Sequence, residues 1–140
     1  MIEYLAEERT GASAERIWNL WSNVSEWNTW DNDVKSSVIF GNFEHGVDGI
    51  LYPKKGPKSK FILTEVVQNK KFITTSKLPL TELNFIHEIS DLGKERIITH
   101  KIQVTGIFSK LFNTLFVKDL SKGLSKTISS LIALAENEEF

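Results

Sequence analysis

The chain has 140 residues, 41% of them hydrophobic and 25% charged, which is the composition of one ordinary globular domain and excludes collagen-like, disordered and repeat-array chains. The absence of cysteine removes disulfides, thiolate metal sites and cysteine nucleophiles together. With 17 basic against 18 acidic side chains and a net charge of −1, nothing draws nucleic acid or anionic lipid in general, so no nucleic-acid partner is expected.

The opening MIEYLAEERT carries charge and lacks an apolar run of signal-peptide type. No stretch approaches the ~20 apolar residues of a membrane span. A cytoplasmic protein without membrane contact is therefore expected. Ile2, Tyr4 and Ala6 alternate with Glu3 and Glu7, the period of two that marks a strand. Ser13 is placed to cap a helix, because its hydroxyl can accept an otherwise unpaired N–H. Ala14, Ile17, Trp18 and Trp21 then recur at the spacing of an amphipathic helix. A second short helix is predicted from Val24 to Trp30.

From Val34 the texture changes to strands punctuated by turn residues. Val34–Phe40, Gly49–Tyr52, Phe61–Val67, Lys71–Ser76, Glu82–Ser90 and Glu95–Thr105 follow one another, making seven strands with the first. Six lysines gather between Lys54 and Lys71, and the Lys54–Lys60 loop is a candidate gate. Beyond Gly106, Phe112, Phe116, Leu120, Leu124, Ile128, Leu131 and Ala135 recur every three or four residues, which predicts one long helix over 109–136. Gly123 inside it calls for a kink or a close approach to the sheet, at a cost of about 1 kcal/mol relative to alanine.

The predicted order is β-α-α-β6-α, an α+β chain forming a single domain over 1–140. One helix cannot cover both faces of seven antiparallel strands. The economical packing curls the sheet around the helix, a helix-grip arrangement that tends to leave a cavity between them.

Two strands carry the chemistry. Leu83, Phe85, His87 and Ile89 share one face of the sixth, and Ile98, His100, Ile102 and Val104 share one face of the seventh. If Ser90 pairs with Glu95, the two imidazoles become diagonal neighbours about 7 Å apart. Buried histidines need partners for their ring nitrogens, so His87 and His100 are candidates for a polar anchor or a general acid/base. The alternative, favoured over catalysis, is a pair of core histidines satisfied by Thr, Ser or backbone groups. Two diagonal histidines without a third ligand do not make a zinc site, His45 lies in a turn, and neither a metal nor a cofactor is expected. Trp27 and Trp30 lie where a short helix would close one end of the grip and could contact a ligand. Trp18 and Trp21 read as packing. Glu65 is a buried carboxylate if Phe61, Leu63 and Val67 face inward, but the parity of Ile62, Thr64 and Val66 is nearly as apolar.

The run Ala14-Glu15-Arg16-Ile17-Trp18, then Trp27, Trp30 and Asp31, resembles the opening of the polyketide cyclase/dehydrase-like family of the START-like (SRPBCC) superfamily. Gly46 and Gly49, the Gly106-Ile107-Phe108 entry to the last helix, and Ala135-Glu136 resemble it too. The resemblance implies a helix-grip fold with a ligand cavity, and it does not imply a reaction. The expected function is binding of a hydrophobic or amphipathic small molecule by a monomer or homodimer, lined by Trp27, Trp30, Phe85, His87, Ile98, His100, Phe112, Phe116 and Leu120. The alternatives are a cyclase or dehydratase using His87 or His100, and an adaptor whose cavity has collapsed.

Overall fold

A computed structural model describes residues 1–137, so the last three residues of the predicted domain lie outside it. Seven antiparallel strands form one sheet: β1 (Ile2–Thr10), β2 (Val34–Ile39), β3 (Asp48–Pro53), β4 (Ser59–Val67), β5 (Lys71–Leu78), β6 (Thr81–Asp91) and β7 (Arg96–Gly106). Their order is β1-β7-β6-β5-β4-β3-β2, a meander whose first strand closes against its last. Helix α1 (Ala14–Ser22) and a 3-10 helix (Val24–Thr29) fill the β1–β2 connection. The Ser13 hydroxyl accepts the Arg16 N–H at 3.2 Å, which is the expected cap, and Ala14, Ile17, Trp18 and Trp21 form the buried face of α1.

The C-terminal arm follows the predicted span but is segmented. It runs through α2 (Ser109–Phe112), a π-helical turn (Asn113–Val117), α3 (Lys118–Ser121) and α4 (Leu124–Asn137). Gly123 marks the break before α4. A side chain there would stand 3.0 Å from the Asp33 carboxylate, so the glycine serves both a bend and a close approach. Helix α4 packs along β1 and β7 and against α1, which sets the arm over one side of the sheet.

Strand register decides what lies beneath the arm. On the inner face, Phe72, His87, His100 and Ala6 form one cross-strand row, and Thr74, Phe85, Ile102 and Tyr4 form the next. The β6–β7 hairpin pairs Ser90 with Ile97, two positions from the Ser90–Glu95 expectation. His87 consequently lies directly opposite His100 rather than diagonal to it. A slip of two preserves which face each side chain occupies and changes only its partner.

Strand β4 resolves the parity of Glu65. Ile62 pairs with Thr75, Leu63 with Thr74 and then Glu65 with Ile73, so the register shifts at Thr64. Phe61 and Leu63 face inward before the bulge and Val66 faces inward after it, which is what a one-residue bulge does to an alternating strand. Glu65 is thereby turned to the outer face, where its carboxylate lies 3.5 Å from Lys71 Nζ and half-exposed. It is not a buried carboxylate. The outer face carries a polar ladder instead: Thr64 to Thr75 at 2.9 Å, Thr75 to Asn84 at 2.6 Å, and Gln103 to Glu3 at 2.5 Å.

Candidate functional site

The two ends of the inner face are built differently. At one end α1 and the 3-10 helix deliver Trp18, Trp21, Trp27 and Trp30, all buried, against Phe61, Leu63, Phe72, Ile89 and Ile98. Trp27 stacks on Phe61 and Phe72 with centroids 5.5 and 6.2 Å away, and its indole N–H donates to the Trp21 carbonyl at 2.8 Å. Gly49 makes room for this packing. A side chain there would collide with the Val38 carbonyl and reach within 2.6 Å of the Phe61 ring.

His87 and His100 belong to this closed end. Their rings meet edge-on with centroids 4.7 Å apart. His87 also stacks flat on Phe72 at 3.9 Å, and Trp21 contacts both imidazoles at 5.6 and 5.8 Å. Trp30 lies 6.0 Å from His100. Burial in this apolar shell penalises the imidazolium and pushes His87 down from 6.5 to about 3, with the backbone at Phe72 and Phe85 opposing. The same burial, with His87 beside it, lowers His100 well below its ordinary value. Both rings are neutral at physiological pH. His87 Nδ1, His100 Nε2 and the indole nitrogens of Trp21 and Trp30 are buried without a hydrogen-bond partner.

The other end is looser. A small core of Leu83, Ile102, Val104 and Val117 is ringed by Ile2, Tyr4, Leu78, Phe85, Phe116, Leu120 and Leu124, all only partly buried. Phe112 packs on Phe116 with centroids 5.9 Å apart. Tyr4 donates its hydroxyl to Asn113 Oδ1 at 2.6 Å, tying the π turn to β1. Across β4 and β5, the Ser59 and Ser76 hydroxyls stand 3.3 Å apart.

The predicted ligand-lining residues therefore divide. Trp27, Trp30, Ile98 and His100 are sealed in the closed end, whereas Phe85, Phe112, Phe116 and Leu120 line the looser end, and His87, half-buried, stands next to Phe85 on β6. Tyr4, Asn113 and Leu124 join the second group without having been singled out. Tyr4 was already visible on the inward parity of β1, but its partner Asn113 depends on the π turn. Two shallow, open surface clefts lie at strand ends beside Leu80 and Lys70 and reach neither His87 nor His100. Among the described residues no group of His, Asp and Glu is placed to hold a metal, and no helix is long and apolar enough to cross a membrane.

The fold is the helix grip: a seven-stranded antiparallel open sheet with a long C-terminal helical arm. Solved structures with this architecture include TTHA0849 from Thermus thermophilus, 14% identical with a TM-score of 0.74 over 99% of this chain and 100% of that one. Truncated norcoclaurine synthase from Thalictrum flavum is 15% identical with a TM-score of 0.72, over 99% and 95% of the two chains. The hypothetical protein jhp0584 from Helicobacter pylori is 10% identical with a TM-score of 0.76, over 96% and 88%. At such identities the likeness concerns the fold. No protein-family profile and no curated protein matches the sequence.

Proposed function

We propose that this protein binds an apolar or amphipathic small molecule in the looser end of the grip, against Phe85, Phe116, Leu120 and Leu124. The observation that carries this reading is Phe85. It stands on the inner face of β6, between Thr74 and Ile102 on the two paired neighbours, yet it is only partly buried. An aromatic ring inside a sheet and under a helical arm is ordinarily sealed. Here it and its apolar neighbours offer a mostly hydrophobic, incompletely covered surface with polar groups at Tyr4 and Asn113, the make-up expected of a small-molecule site. Affinity comes from apolar burial, at about 25 cal/mol per Å². A norcoclaurine synthase of this fold has been solved in complex with dopamine and hydroxybenzaldehyde, so small aromatic molecules are the class to try first, with lipids and polyketide-like rings next. Membership of the polyketide cyclase/dehydrase-like family and a cytoplasmic location, as monomer or homodimer, belong to the same reading.

Native mass spectrometry of freshly purified protein, followed by extraction, tests it together with fluorescence of an anilinonaphthalene dye. A discrete adduct, or dye uptake abolished by Phe116→Asp, is expected. An empty protein that takes up no dye would sink the proposal and favour the adaptor reading, which the densely packed closed end otherwise supports.

Catalysis by the histidines is the second reading, and the unpartnered ring nitrogens of His87 and His100 are what favours it. Burial that keeps both rings neutral leaves no imidazolium to act as an acid at neutral pH, and the same lowering makes each neutral ring a weak base. Binding without turnover is therefore preferred.

A further inference from the structure

The proposed ligand site explains the apolar rim but leaves the polar atoms behind it unaccounted for. Trp21, His87 and His100 are mutually in ring contact, and Trp30 contacts His100. Each of the four contributes one buried nitrogen that has no partner among the described residues. Elsewhere in the same end, Trp27 shows that a buried indole N–H finds an acceptor where one is within reach. One orphan in a core is an imperfection, whereas four on touching rings are a pattern, because each forgoes a hydrogen bond that water had supplied.

The chemistry of the four nitrogens selects what they can hold. Two indole N–H groups can only donate. A neutral imidazole presents either a donor or a lone pair, according to tautomer. None of the four rings carries a formal charge, and an anion placed among them would lose its hydration without gaining a cation. A cation would face two donors. A neutral oxygen that both accepts and donates fits both kinds of partner.

We propose that Trp21, Trp30, His87 and His100 form a site for a single hydroxyl-type oxygen, supplied by an internal water or by the hydroxyl of a bound aromatic molecule. His87 connects this site to the proposed ligand surface, since Phe85 is two residues before it on the same face of β6. The inference deepens the binding reading by naming the ligand class, an apolar ring bearing a neutral hydroxyl, and it rests on that reading only for the ligand as the source of the oxygen.

The test uses the whole protein and two probes of matched shape, 2-naphthol and naphthalene, measured by equilibrium dialysis. A purely apolar surface prefers naphthalene, because the naphthol hydroxyl must leave water. With the ligand as the source of the oxygen, the site predicts the reverse, at least tenfold. Trp30→Phe and Trp21→Phe keep an aromatic ring and remove one donor. Each should cut the naphthol preference about tenfold, roughly the worth of one buried hydrogen bond, and leave naphthalene binding in place. The water source is read in the wild-type protein without ligand, as cross-relaxation (distinct from proton exchange) between a long-lived water and the Trp21 or Trp30 indole proton.

A naphthol preference that both variants flatten assigns the oxygen to the ligand. Naphthalene binding as well or better, with the water signal present, assigns it to a resident water. Naphthalene preference without the water signal overturns the site while leaving the binding proposal intact. A naphthol preference that survives both substitutions also overturns it. If neither probe binds, the binding proposal fails, and the water signal alone decides for or against the four-ring site. The same signal decides if both variants fail to fold.

Discussion

The closed and the loose ends of this grip are built on the same strands, and they differ in what the connecting segments bring. At the closed end a short helix and a 3-10 turn place four tryptophans in thirteen residues against Phe72 and two histidines. Large rigid rings meeting edge-on and face-on pack closely and tolerate little change. At the loose end the arm contributes Phe116, Leu120 and Leu124 as partial cover over Phe85, while Leu111 and Leu115 point away, the latter 62% exposed. One end therefore holds the fold and the other has apolar surface to offer. The contrast separates stability from binding along a single sheet.

The sharpest way to break the contrast is at Trp21, which has no exposure and touches Trp18, Phe72 and both histidines. Trp21→Ala should cost about 3–5 kcal/mol in chemical denaturation, and a cost below about 1 kcal/mol would show the closed end to be less integral than its packing.

Acid provides the next largest effect. An unfolded histidine takes up a proton near 6.5, whereas folded His87 resists until about 3 and His100 is lowered as well. Folding stability should then be full above about pH 7 and fall as pH drops below 6.5, by about 1.4 kcal/mol per pH unit for each uncompensated proton. Asp31 acts in the opposite sense. Burial raises it from 3.8 to about 6, with the Asp33 N–H, which donates to it at 3.0 Å, opposing and the Asp33 charge adding. Folded Asp31 holds a proton that the unfolded chain lacks between those values, so it offsets part of the loss between pH 6 and 4. Denaturant midpoints from pH 4 to 8 read the net slope, and a flat profile would contradict neutral buried imidazoles.

The loose end should behave in reverse. Leu120→Ala is expected to lower stability by only about 1 kcal/mol, below the usual cost in a sealed core, while weakening dye or ligand uptake severalfold. A large stability loss with unchanged uptake would move the binding surface elsewhere. The smallest effect belongs to the outer face. Glu65→Gln removes a half-exposed ion pair with Lys71 and should change stability by less than about 1 kcal/mol with uptake unaltered, as measured by melting and dye titration.

Much of this division was legible in residue patterns. Alternation in Leu83–Ile89 and Ile98–Val104 put the two histidines on the inner face, and the Ser13 cap and the tryptophan spacing located α1. What stayed hidden depends on details that periodicity does not carry. The β6–β7 register turned on whether the four-residue loop lay between Ser90 and Glu95 or between Asp91 and Arg96, and the latter pairing is the one formed. Glu65 was ambiguous because its strand follows one parity before the bulge at Thr64 and the other after it. The apolar spacing from Phe112 to Ala135 reads equally as a straight helix or as the segmented arm. The π turn and the Gly123 break alter backbone pairing and leave the pattern of apolar residues nearly unchanged.

That π turn has a consequence for how this arm could be rewired. A π turn is in effect one surplus residue lodged in an α-helix. Deleting one position within Asn113–Val117 would let α2 and α3 join as regular helix, with the residues on either side keeping the faces they already present. The Phe108 N–H bond to Thr81 pins the start of the arm to the sheet, so the change falls on the turn itself, where Asn113 holds the Tyr4 hydroxyl. A single codon thus decides whether the arm keeps this tie to β1, a short step by which the cover over Phe85 can loosen while the closed end stays as it is.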